Sequence, residues 1–261
     1  MLSAATMGRV LVAFSALAIA LFFVLVDPIP QDPAYHDFAD TRRMFGIANF
    51  WNVMTNLPFL VVGIYGLAFV ASNPFVVGDP DLYWPWIAFF AGITLTAFGS
   101  GWFHLVPSNE SLAWDRLPMT LGFAGLFATV IGEYLSPRAA RNLLVPFLVA
   151  GATSVFYWQT TESAGSGDLR LYAVVQFLPV LLIPALLIFR RNASDLTGAF
   201  WLLTLFYIAA KLLEHFDGAV YEALNAMSGH ALKHVIAAVS PAILIHALHR
   251  RRLQSSSESH D

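Results

Sequence analysis

The sequence predicts an all-α fold, a polytopic transmembrane helical bundle with a seven-helix core and one extra N-terminal helix. Three observations carry that expectation. Of 261 residues, 57% are hydrophobic and only 12% are charged, whereas soluble domains carry roughly twice that charged fraction. Apolar runs long enough to span a bilayer recur along the whole chain. There is no cysteine, so no disulfide framework stands in for a packed core, and any metal must be held by His, Asp or Glu. A net charge of −3 argues against nucleic acid as a partner.

The first span covers residues 9–26, with Arg9 before it and Asp27-Pro28 ending it. Signal peptides and signal anchors share that pattern. The small residues Ala16, Ala18 and Ala20 lie inside the apolar run with no polar cleavage region behind them, which favours a retained helix over residues 1–27. Residues 28–50 are a different material, with Pro28, Pro30 and Pro33 among Asp32, Asp37 and Asp40. They read as an extramembrane acidic segment with an interfacial piece around Phe45–Phe50.

Seven further spans follow within a domain at 51–250, near 51–71, 83–105, 117–134, 142–158, 170–189, 198–216 and 230–249. The serine-rich tail, residues 251–261, reads as disordered. Orientation follows from Lys and Arg. One side collects Arg9, Arg138, Arg141, Arg190, Arg191 and Arg250–Arg252. That bias puts both termini in the cytoplasm, and the span ends bearing His104, Asp115 and His230 on the opposite face. In a bacterium this is an inner-membrane protein with its site towards the periplasm.

The chemistry sits in two stretches. Gly99-Ser100-Gly101-Trp102-Phe103-His104 is followed by a polar loop and then Asp115-Arg116-Leu117-Pro118-Met119; Gly229-His230-Ala231-Leu232-Lys233-His234 comes much later. On a helix, positions i and i+4 share a face, so Ser100 lies over His104 and His230 over His234. A catalytic zinc takes about three protein ligands and leaves one position open, and His104, His230 and His234 supply three imidazoles. Zinc lowers the pKa of its water to near 7. Asp115 is placed to accept a proton and pass it to a leaving amine. Ser100 is placed to donate to an oxyanion.

Each residue also has a structural reading. A lone His on an apolar helix is more often a packing residue, although an i, i+4 pair raises the odds of a shared ion. Asp115 is a suitable helix N-cap, with Pro118 in the first turn. Ser100 between glycines permits close helix packing.

Taken together, Ser-x3-His, an Asp eleven residues after that His, and a distant His-x3-His on the last helix resemble the alkaline ceramidase family, part of the wider CREST superfamily of seven-helix membrane hydrolases. The matching residues are Ser100, His104, Asp115, His230 and His234, with Asp115, Pro118 and Met119 in a family-like Asp-x2-Pro-Met stretch. Asn49-Phe50-Trp51-Asn52 resembles the family's Glu-Phe-Trp-Asn. The resemblance implies zinc on the three histidines, Asp115 and Ser100 around its water, and hydrolysis of ceramide or a ceramide-like N-acyl lipid held within the bilayer. Two features depart from the pattern. His36-Asp37-Phe38-Ala39-Asp40 stands where characterised eukaryotic members carry a calcium-associated Asp-Trp-Cys-Glu segment, and the N-terminal helix is additional. Asp37, Asp40 and Asn49 still offer oxygens of the kind that Ca2+ requires. The extra helix suggests a bacterial-type relative.

Other polar residues have plainer expectations. Lys211, Glu214, His215 and Asp217 read as an interfacial helix end with snorkelling charges, and Lys233 as pointing away from the flanking histidines. Residues 159–168 read as a flexible loop. Trp84, Trp86, Trp102, Trp114 and Trp158 read as interfacial anchors. A lipid amidohydrolase leads over a seven-helix receptor or sensor with a structural zinc.

Overall fold

The computed structural model describes residues 3–190 and 192–258. Arg191, counted in the charge bias, and the last three residues of the tail lie outside the described residues. Among these, eight helices are long and apolar enough to cross a membrane.

Helix α1 (Ala4–Leu25) is capped by Ser3, whose side chain accepts from the Thr6 amide. It lies at the edge of the bundle beside α7, and Arg170 ties its far end down by donating to the Val26 carbonyl at 2.8 Å. A cation at a helix C-terminus satisfies carbonyls that have no partner within the helix. Residues 26–49 then run outside the spans, with a short 3-10 turn at Pro33–His36.

The first core span is broken into α2 (Phe50–Met54) and α3 (Leu57–Ser72). Helix α4 (Tyr83–Leu105) returns, and α5 (Asn109–Tyr134) packs along it. At Gly99 a β-carbon would collide with the Trp114 carbonyl, so glycine there is what lets the two backbones touch. Helices α6 (Pro137–Ser163), α7 (Arg170–Phe189) and α8 (Thr197–His215) follow. A short α9 (Asp217–Leu224) leads into α10 (Gly229–Glu258). Buried Trp86, Phe90, Tyr134, Leu186, Phe200 and Leu244 fill the half of the bundle remote from His104.

Several expectations need correction. Helix α5 starts at Asn109, well before 117, because Ser108 and Ser111 form a reciprocal capping box. Asp115 is therefore not a cap; it sits a turn and a half inside the helix, and Pro118 lies in the interior. Helix α10 runs through Glu258, into the tail expected to be disordered, and Arg251 pins it to Glu133 and Asp195. Residues 159–163 form the last turn of α6, not a loop. Trp86 and Trp158 are fully buried, whereas Trp84, Trp102 and Trp114 are exposed as interfacial anchors should be.

Candidate metal centre

Helix α4 ends at the site with His104, and α10 begins there with His230 and His234. Gly229 makes the approach possible, since a β-carbon would meet the Leu213 carbonyl of α8. The start of α10 is fixed by Asp217, whose carboxylate accepts from the His230 amide at 2.7 Å and from the Ala39 amide at 3.0 Å. Asp217 thus serves as a positioning group for the last helix, with no snorkelling role.

The three imidazoles meet. His104, His230 and His234 are all buried, and one ligand nitrogen from each lies within 4.8 Å of the others. The Nε2 atoms of His104 and His234 are 3.2 Å apart. With Zn–N bonds of about 2.0–2.1 Å, two ligands on a tetrahedral ion sit about 3.3–3.4 Å apart, so this pair already has the spacing of one edge.

Thr55, in the break between α2 and α3, sets the state of one ring. Its hydroxyl donates to the Trp51 carbonyl at 2.6 Å. Having spent its only proton, Thr55 must accept from Nδ1–H of His234, 3.1 Å away. That leaves Nε2 of His234 unprotonated and facing the other histidines. Nδ1 of His104, Nε2 of His230 and Oδ1 of Asp115 are buried with no partner among the described residues. Buried polar atoms are rarely left unpaired. With Nε2 of His104 and His234 already facing each other, the unpartnered Nε2 of His230 is the third electron-pair donor that a metal ion would use. Nδ1 of His104 lies on the other edge of its ring and is not a ligand to the same ion. The donor set therefore fits a borderline metal such as zinc.

Ser100 on α4 and Asp115 on α5 lie close together, next to the contact of Gly99 with the Trp114–Asp115 backbone. Both line a cavity of about 370 Å3 together with His234, Tyr35, Arg116 and Glu214. A second, almost wholly apolar cavity of about 150 Å3 continues into the bundle and shares Phe59, Thr96, Met119, Tyr207 and Ala237 with the first.

The segment before α2 is packed over the histidines. The Phe38 ring lies 4.8 Å from that of His104 and 4.9 Å from that of His230, centre to centre. Asp40, 1% exposed, receives both ends of the Arg42 guanidinium at 2.9 and 2.7 Å, which holds its carboxyl below the usual carboxylate range. Arg42 also reaches the Ala226 carbonyl ahead of α10. Asn49 has left-handed backbone (φ 49°), which asparagine tolerates, and its amide donates to the His104 carbonyl at 2.8 Å. Of the oxygens offered for Ca2+, those of Asp40 are bonded by Arg42, whereas Asn49 engages His104 through its amide nitrogen and not its oxygen.

Glu214 and Lys233 also depart from expectation. Lys233 and Lys211 both bond the Glu214 carboxylate, and all three residues line the larger cavity. Thr55 and Phe38 were missed altogether. Neither carries a metal-binding or acid–base group, and no periodicity marks them.

The family profile described as Ceramidase matches residues 43–261. Among curated proteins, none matches the chain. The match begins after Phe38, Asp40 and Arg42, covers every helix from α2 to α10, and leaves α1 outside. The chain belongs to the ceramidase family, hydrolases of ceramide-type amide bonds.

Proposed function

We propose that the protein is a zinc-dependent amidohydrolase that cleaves an N-acyl lipid of the ceramide type inside the bilayer, releasing a fatty acid and an amine-bearing lipid. The observation that carries this reading is the convergence of three buried imidazoles beside a cavity that also presents Ser100 and Asp115. His104, His230 and His234 hold the ion. When bound, zinc supplies Lewis acidity and an acidified water.

The remaining work falls to the chain. The apolar inner lobe lined by Phe59, Met119 and Tyr207 takes the acyl chain, which leaves the amide carbonyl at the polar end. Phe38 covers the histidines and keeps bulk water out, which strengthens every charge interaction beneath it. Asp115 removes a proton from the attacking water as the new C–O bond forms. It returns that proton to the amine nitrogen as the C–N bond breaks. Ser100 has one proton to give, and its hydroxyl donates to the oxyanion at the amide carbon.

We also propose the division into an N-terminal helix at 1–27, an extramembrane segment at 28–50 and a helical domain from 51 onward, with both termini cytoplasmic and the site towards the outer face. The deciding experiment measures fatty acid release from a panel of N-acyl lipids by purified protein, with and without chelator. Release should require metal, and His230→Ala should lose bound zinc and turnover together. Full activity in His230→Ala would remove this reading.

A further inference from the structure

Arg116 follows Asp115 on α5 and is 6% exposed. Its guanidinium carbon lies 4.2 Å from the centre of the Trp158 ring, 4.8 Å from that of Tyr172 and 5.8 Å from that of Tyr35. Nη2 donates to the side-chain oxygen of Gln31 at 2.7 Å. Nη1 is buried with no partner, and among the described residues no carboxylate comes within ion-pairing distance.

Other arginines in the same chain are treated differently. Arg42 holds Asp40, Arg141 holds Asp81, Arg170 holds Asp168, and Arg251 holds Glu133 and Asp195. A buried cation without a counter-charge is costly. Aromatic faces offset part of that cost, but they occupy the faces of a guanidinium and leave its N–H edge free. Arg116 also lines the larger cavity, where Arg116, Lys211 and Lys233 face only Asp115 and Glu214. The cavity has one cation in excess before any metal is counted.

We infer that Arg116 is the seat of an anionic group on the lipid in this cavity, a carboxylate, phosphate or sulfonate. This rests on the cavity being the amide-hydrolysing lipid site. A guanidinium edge offers paired donors matched to an oxyanion, which an ammonium does not. Two parts of the lipid can carry that charge. One is the carboxylate that amide cleavage creates on the acyl product. The other is an acidic group on the amine-bearing half of the substrate.

The test uses purified full-length protein and displacement of a fluorescent long-chain alcohol. Two matched pairs compete, palmitate against 1-hexadecanol and N-palmitoylglycine against N-palmitoylethanolamine. Wild type should favour the charged member of at least one pair. Arg116→Gln should weaken binding of that charged member by about tenfold, with the neutral member changed less than about twofold and zinc content unchanged. Arg116→Lys should retain part of the preference. Preference in the first pair alone assigns the anion to the released acid, and preference in the second assigns it to the amine-bearing half.

The inference is overturned if wild type shows no charge preference in either pair, or if Arg116→Gln keeps the preference intact. Should Arg116→Gln fail to fold, the wild-type ratios and Arg116→Lys still decide. Absence of fatty acid release from every amide would instead count against the hydrolase reading, and the displacement data would stand apart from it.

Discussion

At the end of the bundle remote from the histidines, Arg251 of α10 donates to both oxygens of Glu133 on α5 at 2.9 and 3.1 Å, and also reaches Asp195. Ser194 donates to the same glutamate at 2.7 Å, and the hydroxyls of Tyr134 and Thr197 are 2.6 Å apart. Glu133 and Arg251 have no polar atom left over. The histidine end has similar residue types and the opposite treatment. Nδ1 of His104, Nε2 of His230, Oδ1 of Asp115 and Nη1 of Arg116 are all buried without partners. Unpaired buried groups destabilise a fold; the Glu133–Arg251 cluster is fully paired, whereas the ionisable groups around the histidines keep capacity for a ligand. The difference separates polar residues that fasten helices from polar residues that meet a ligand.

The largest effect should come from removing one open group without changing its shape. Asp115→Asn keeps the volume but cannot take up a proton. A missing general base typically costs about 10^2–10^4-fold in rate. We expect kcat for fatty acid release to fall in that range with zinc content unchanged, as read by metal analysis on the same sample. Loss of zinc together with activity would instead make Asp115 a ligand and close the coordination sphere.

A smaller effect should follow from loosening a residue that acts through a histidine. Thr55→Val removes the acceptor for Nδ1–H of His234 and leaves the side chain nearly isosteric. Outer-shell partners of this kind are worth about 10–100-fold in metal affinity. Zinc competition with a chromogenic chelator should show that loss, and Thr55→Ser should restore most of it. Equal affinity in all three proteins would show that packing alone orients the ring.

These residues also mark how far the sequence can be read. The span at 170–189 coincides with α7 because a run such as Leu178 to Phe189 is apolar throughout and bounded by Arg170 and Arg190. The histidines could be paired in advance because helical spacing puts His230 and His234 on one face. The start of α5 was invisible to hydropathy, since Ser108, Asn109, Glu110 and Ser111 are polar and their structural signal is a capping box. The cover over the site could not be read at all. Its anchors, such as Ala39 with Asp217, join residues 178 positions apart, and nothing local distinguishes Phe38 as the ring laid against two imidazoles. Lys233 was misplaced. Positions i and i+3 share a helix face, so Lys233, three residues after His230, turns towards the cavity, where it bonds Glu214 on α8.

The saturated end supplies the contrasting prediction, with the smallest effect on chemistry. Arg251→Met keeps the aliphatic length but strips Glu133 of its bidentate partner, leaving it Ser194 alone. Arg251 is 16% exposed and Glu133 is 8% exposed, so the pair lies between the surface and buried limits, and its loss should cost about 1–3 kcal/mol. Thermal unfolding in detergent should show a lower Tm, while kcat per folded molecule and zinc content stay at wild-type values. Because α5 and α10 each run from Arg251 and Glu133 to the metal centre, a rigid-rod view of these helices predicts instead that the site would shift and turnover would drop. Pro118 in α5 and Pro241 in α10 each interrupt the helical hydrogen-bond ladder between the two ends, so displacement at one end is absorbed before it reaches the other. An Arg251→Met protein that melts early but turns over normally would establish that the two polar clusters are independent.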